Sequence, residues 1–120
     1  MLNNTPVTVI VVLAPASLAN TAAATSGWVD VSNYEGTILF VSNIGAVTAG
    51  NIVGKIQHAS DGAGTGSADV VGATFATASA PGTEVIRVNS NALGPFVRYV
   101  GTITTGPVIG GVVLLGSPKY

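Results

Sequence analysis

The sequence predicts an all-β chain, a single-domain antiparallel β-sandwich of jelly-roll or Greek-key connectivity. Three observations carry this. β-branched residues dominate the apolar segments, and no apolar stripe of 3.6-residue period lasts long enough for a helix. Gly, Asn, Ser and Pro also interrupt the chain at the short intervals that separate strands. Eight strands at this spacing suit two packed sheets, with a closed barrel as the nearest competitor.

The first strand covers Val7–Leu13 and ends at Pro15. Both of its faces are apolar, so it belongs in the centre of a sheet or under a partner. Ser17–Ala24 reads as a loop, because Thr21, Thr25 and the preceding Pro15 oppose a helical turn. Trp28–Val31 and Gly36–Val41 follow as strands, the run Ile38-Leu39-Phe40-Val41 having the character of a fully buried segment. Asn43–Gly50 is read as a connection. In the strand Asn51–His58, Ile52 and Ile56 share one face while Val53, Lys55 and Gln57 share the other, the pattern of a sheet with one wet side. Asp61–Asp69 is a glycine-rich loop, Ala73–Thr77 a short strand, and Ala80-Pro81-Gly82 a turn. Glu84–Asn89 alternates with Ile86 and Val88 inward. Phe96–Thr104 and Val108–Leu115 complete the set. The expected organisation is one domain over 1–120, with an N-terminal arm at 1–6 and a C-terminal tail at 117–120.

Only nine residues in 120 are charged, four cations and five anions, so charged side chains make up 8% of the chain. An average soluble domain has about 25%. Lys55, Arg87, Arg98 and Lys119 face Asp30, Glu35, Asp61, Asp69 and Glu84, with His58 the single imidazole. Hydrophobic residues at 48% are ample for a core, so the low charge does not signal disorder. A net charge of −1 with four scattered cations argues against nucleic acid and anionic membranes as partners. The apolar stretches Val7–Leu13 and Pro107–Leu115 fall short of the roughly 20 residues of a spanning helix. Ser17-Leu18-Ala19 imitates a signal-cleavage site, but no Lys or Arg precedes the apolar run. With no cysteine there is neither a disulfide framework nor a thiolate metal site, which leans toward an intracellular origin.

Candidate chemistry is sparse. Asp61 and Asp69 bracket a glycine loop that holds too few carboxylates for a calcium site, which wants several oxygen ligands close together; a flexible hairpin tip is the plainer reading. His58 with Ser60 and Asp61 contains the residue types of a nucleophile triad, without any G-x-S-x-G elbow. Gly50–Lys55 fails as a phosphate loop in glycine spacing, in its missing Ser/Thr and in its strand character. Trp28, Tyr34, Tyr99 and Tyr120 could stack on sugar rings if exposed, whereas the place of Trp28 at a strand start points to the core. No catalytic residue, cofactor or metal is expected.

The order of segments resembles a known family. Val11-Val12-Leu13-Ala14-Pro15-Ala16 opens it, followed by Val29-Asp30-Val31-Ser32-Asn33-Tyr34-Glu35-Gly36 and Leu39-Phe40-Val41-Ser42-Asn43-Ile44-Gly45. Lys55-Ile56-Gln57 then leads into an Asp61-Gly62 loop, Arg98-Tyr99-Val100 marks a late strand, and Val112–Lys119 closes the series. In this succession, from about Val7 to Lys119, the chain is similar to the short all-β decoration (cement) proteins encoded beside the major capsid protein of tailed bacteriophages. It departs from them where acidic residues are expected after Gln57, since His58-Ala59 stand there, and in a longer glycine loop.

The resemblance implies a non-enzymatic virion protein on the capsid exterior, made in the host cytoplasm. It would bridge neighbouring capsomers and bind the major capsid protein and its own copies, with a trimer favoured. Contacts are expected from the arm (Met1, Leu2, Asn3, Asn4, Thr5), the loop (Asp61, Gly64, Asp69) and the tail (Pro118, Lys119, Tyr120). The rival readings are a carbohydrate-binding or adhesion module of a phage fibre and a tail or head-completion subunit.

Overall fold

The computed structural model describes residues 7–118, which form eight antiparallel strands in two four-stranded sheets. The strands are β1 (Thr8–Leu18), β2 (Val29–Asp30), β3 (Tyr34–Val47), β4 (Gly50–Ala59), β5 (Ala68–Thr74), β6 (Gly82–Asn89), β7 (Phe96–Thr105) and β8 (Val108–Pro118). A 3-10 turn at Ser90–Ala92 follows β6, with the Asn89 side chain accepting the Asn91 N–H at its start.

The first sheet has the order β1-β8-β3-β6 and the second β2-β7-β4-β5. The pairs β1·β8, β2·β7, β3·β6 and β4·β5 are nested like one long hairpin. That hairpin folds over so that β8 also meets β3, and β7 also meets β4. Every connection except β4–β5 crosses between the sheets. This is the jelly roll, one of the two connectivities left open by the strand spacing.

The core is the inward half of each alternation. Ile38 and Phe40 of β3, Val112 and Leu114 of β8, and Ile86 and Val88 of β6 face Ile56 of β4 and Val97 and Tyr99 of β7. A smaller cluster of Leu18, Ala24, Ile44, Ile52 and Val108 continues it toward one end. Tyr99 of the second sheet and the buried Ser42 of the first line the same cleft between the layers. Burial pushes the Tyr99 phenol up to about 12, against the opposing influence of the Ser42 hydroxyl. Gly54 lies beneath the ring: a Cβ there would fall 2.5 Å from Cζ and nearer still to Cε1 and the hydroxyl.

Several boundaries differ from the sequence reading. β1 runs through Pro15 to Leu18 because two bulges, at Val11/Leu13 and Leu13/Ala16, absorb the irregularity. It is an edge strand and not a central one. β3 continues through Asn43 to Val47, leaving only Thr48-Ala49 as the link to β4. Its Ile38–Val41 run alternates, with Ile38 and Phe40 buried and Leu39 and Val41 half-buried on the outside. β5 starts at Ala68, and a bulge near Gly72 separates the inward Val70 and Ala73 by three residues, which hides its period. β8 includes Ser117 and Pro118, paired with Glu35 and Tyr34, where the sequence reading begins a tail.

Candidate interaction surfaces

The two sheets leave two outer faces of opposite character. On the second, the cross-strand row Arg98–Gln57–Asp69 is linked side chain to side chain. Arg98 Nε donates to Gln57 Oε1 at 3.0 Å, and Gln57 Nε2 donates to Asp69 Oδ1 at 2.9 Å. Lys55 Nζ reaches Asp69 Oδ2 at 3.1 Å, the one ion pair among the described residues. The Gln57 and Lys55 bonds together hold the Asp69 carboxyl below its ordinary range. Arg98 also lies over the Trp28 ring, 4.6 Å from its centroid.

Trp28 is therefore on this outer face, half-buried, and not in the core as its strand-start position suggested. The register is the reason: Val29 pairs with the buried Val97, so its neighbour Trp28 points the other way, beside Arg98. The loop Ser60–Ser67 covers the indole. Gly64, at φ +85°, approaches so closely that a Cβ would sit 2.9 Å from the indole nitrogen.

That loop is built, not loose. The Asp61 carboxylate accepts the Thr65 hydroxyl at 2.6 Å and the N–H groups of Ala63 and Thr65 at 2.9 and 3.1 Å. These bonds, the Thr65 hydroxyl first, lower its pKa. Asp69 lies in β5 opposite Gln57, in a network of its own, so Asp61 and Gly64 share the loop and Asp69 does not. No group of three potential metal ligands occurs among the described residues. Ser60 donates to the Thr65 carbonyl and His58 Nδ1 accepts the Gly94 N–H, so the sequence-adjacent triad types are each turned to separate structural bonds. Glu84 likewise accepts the Ala76 N–H at 2.9 Å.

No described aromatic ring is fully exposed. Tyr99, Phe40 and Phe75 are in the core, and Tyr34 packs against Gly116. Pro118 is half-buried in β8, while Met1, Leu2, Asn3, Asn4, Thr5, Lys119 and Tyr120 lie outside the described residues.

The outer face of the first sheet is apolar. Strand register builds two rows across all four strands: Val11–Val113–Val41–Val85 and Val9–Leu115–Leu39–Arg87. Val9, Val11 and Val85 are 59%, 56% and 42% exposed, and Ile109 nearby is 48% exposed. Beside Ile109, where Gly45 and Gly111 carry no side chain, Leu13, Pro15, Val41 and Val113 line a hollow of about 300 Å³. Sequence reasoning missed this face, because the rows exist only once register is known.

No family profile matches the sequence, and no curated protein matches it. Among solved structures, the fold is similar to a chain in the structure of infectious bursal disease virus Gx strain, at a TM-score of 0.47 and 12% identity. That match covers 98% of this chain and 34% of the other. A second is a chain of the Cowpea mosaic virus top component, described as naturally occurring empty particles, at a TM-score of 0.41 and 14% identity. It covers 82% of this chain and 58% of the other. The chain thus spans about a third of the first and rather over half of the second.

Proposed function

We propose that the chain is a non-enzymatic structural protein of a virion, a decoration protein that cements a phage capsid. In this reading it sits on the capsid exterior, bridges neighbouring capsomers of the major capsid protein, and acts as a homo-oligomer. The observation that carries it is the apolar outer face of the first sheet. An apolar face that spans four strands has no role in the fold of its own chain and marks a surface for assembly. The commitment of His58, Ser60, Asp61 and Glu84 to structural hydrogen bonds supports the same reading, as does the resemblance of the order of segments to that of capsid decoration proteins.

Mechanically, each copy needs to bury only about 800 Å² per partner to hold a specific contact. Linked copies then gain by simultaneous engagement, so modest single contacts add up to a durable clamp. The glycine loop at Asp61–Ser67 and the two chain ends are the proposed points of contact with the shell.

The test is co-sedimentation of the purified chain with shells assembled from the major capsid protein of the same virion. Saturable binding in hundreds of copies per particle is expected. No binding to such shells, or a dozen copies confined to one vertex, overturns the proposal. Deleting Met1–Asn4 or Lys119–Tyr120 tests the terminal contacts, and unchanged occupancy for both rejects them.

A further inference from the structure

We infer that the outer face of the first sheet is where a second copy of this chain docks, face against face. The inference deepens the homo-oligomer of the proposed function and rests on it. Four strands at about 4.8 Å and the six-residue rise from Ile109 to Leu115 at about 3.4 Å give roughly 400 Å² of flat sheet. That lies within the roughly 300–600 Å² typical of the largest apolar patch on a monomer, a patch that is often functional. With a border of Ser17, Glu35, Thr37, Asn43, Thr83 and Asn89, it has the apolar centre and polar rim of a small interface, the centre alone being about half of the roughly 800 Å² per partner of a standard one.

The occupant follows from charge. The two rows hold one charged residue, Arg87, at the outer end of one row on the edge strand β6, where it stays at the rim. The other outer face of this chain carries Lys55, Asp69 and Arg98, whose groups would lose water against valines and gain no partner. Within this molecule the surface that matches the apolar face is the same face of another copy. Two sheets stacked so repeat the packing of a sandwich core, about 10 Å apart. The hollow beside Ile109 leaves room for an aliphatic side chain from the other copy. A face that meets itself generates a two-fold pair, an order distinct from the trimer that the family resemblance implies.

The test uses the full chain in sedimentation equilibrium, with Val85→Glu and Ile109→Glu on the face. Val71→Glu is the control, at a 97% exposed position on the edge of the second sheet. The wild type is expected as a dimer. Each face variant should weaken self-association on the order of 100-fold by placing an unpaired charge in the contact, with an unchanged far-UV spectrum. Val71→Glu should associate like the wild type. If a face variant fails to fold, Val11→Lys on the exposed edge strand replaces it.

A wild type that stays monomeric at millimolar concentration, a trimer mass, or face variants that associate normally overturns the inference. An effect of Val11→Lys with none from Val85→Glu also overturns it, since that pattern belongs to pairing along the β1 edge. Shell binding is read separately. A monomer that binds shells defeats the face pairing and the homo-oligomer but leaves the capsid reading standing, and a dimer that ignores them defeats only the capsid reading.

Discussion

Gly54→Ala should be among the most damaging small substitutions in this chain. The new methyl would land on the Tyr99 ring, 2.5 Å from Cζ and closer to two other atoms. Tyr99 is 1% exposed, its ring packs against Phe75, and its backbone is held by β7 pairing to β4 and by the Ser26 hydroxyl. Overpacking of this kind costs about 1–3 kcal/mol. Reduced freedom of the unfolded chain on replacing glycine returns about 0.4–1 kcal/mol. The balance is a loss of about 1.3 kcal/mol, which for a chain of this size lowers the melting temperature by roughly 6 °C. Urea denaturation of the wild type, Gly54→Ala, Tyr99→Phe and the double variant forms a cycle. Removing the hydroxyl should recover part of the loss, because the ring carbons still clash. A cleft of about 290 Å³ adjoins both residues. If the ring can swing into it, Gly54→Ala will cost under about 0.5 kcal/mol, and the idea of a ring locked between the sheets is refuted.

Tyr99 also predicts an alkaline limit. Its folded pKa is raised, so its contribution is complete below pH 10 and declines above it as the unfolded chain ionises first. The stability difference between wild type and Tyr99→Phe should shift by about 2 kcal/mol between pH 9 and 11.5; parallel denaturation curves would contradict this. Gly64→Ala should destabilise by about 1–2 kcal/mol through its positive φ and alter Trp28 emission. Gly66→Ala, at φ +66° with open space around it, should destabilise without the spectral change. Asp69 has a lowered pKa, so its contribution is present above the ordinary carboxylate range and fades as pH falls below it. Asp69→Asn should therefore be slightly less stable than wild type near neutral pH, the ion pair being exposed, and the difference should close on the acid limb of an unfolding titration.

Strand existence was legible wherever one face met the core. In β4 the split between Ile52/Ile56 and Val53/Lys55/Gln57 survives intact, and in β7 Val97 and Tyr99 turn inward while Arg98 turns out, as alternation requires. Legibility failed where a bulge broke the period, as between Val70 and Ala73, and where polar residues sit on the wet side of a long strand, as Asn43 does in β3. The edge position of β1 could not be read, because its neighbour β8 comes from the far end of the chain. The apolar rows needed the same long-range register. The loop candidates Asp61 and Gly64 were found by composition, but their function as a lid on Trp28 depends on which way the indole faces.

The scarcity of charge is unevenly distributed, and that matters more than its total. Lys55, Asp69 and Arg98 satisfy one another or Gln57 on the second sheet, and Asp61 closes its own loop beside them. The first sheet keeps Arg87 alone in its two outer rows, at one end. The second outer face is hydrated by Lys55, Asp69 and Arg98, while the two apolar rows of the first leave Val9, Val11, Val85 and Ile109 in solvent. Exposed apolar area on an edge strand free of charge also invites unwanted pairing, against which β1 has its two bulges and Pro15. A strand so guarded along its edge, yet unguarded across its face, is shaped for contact through the face.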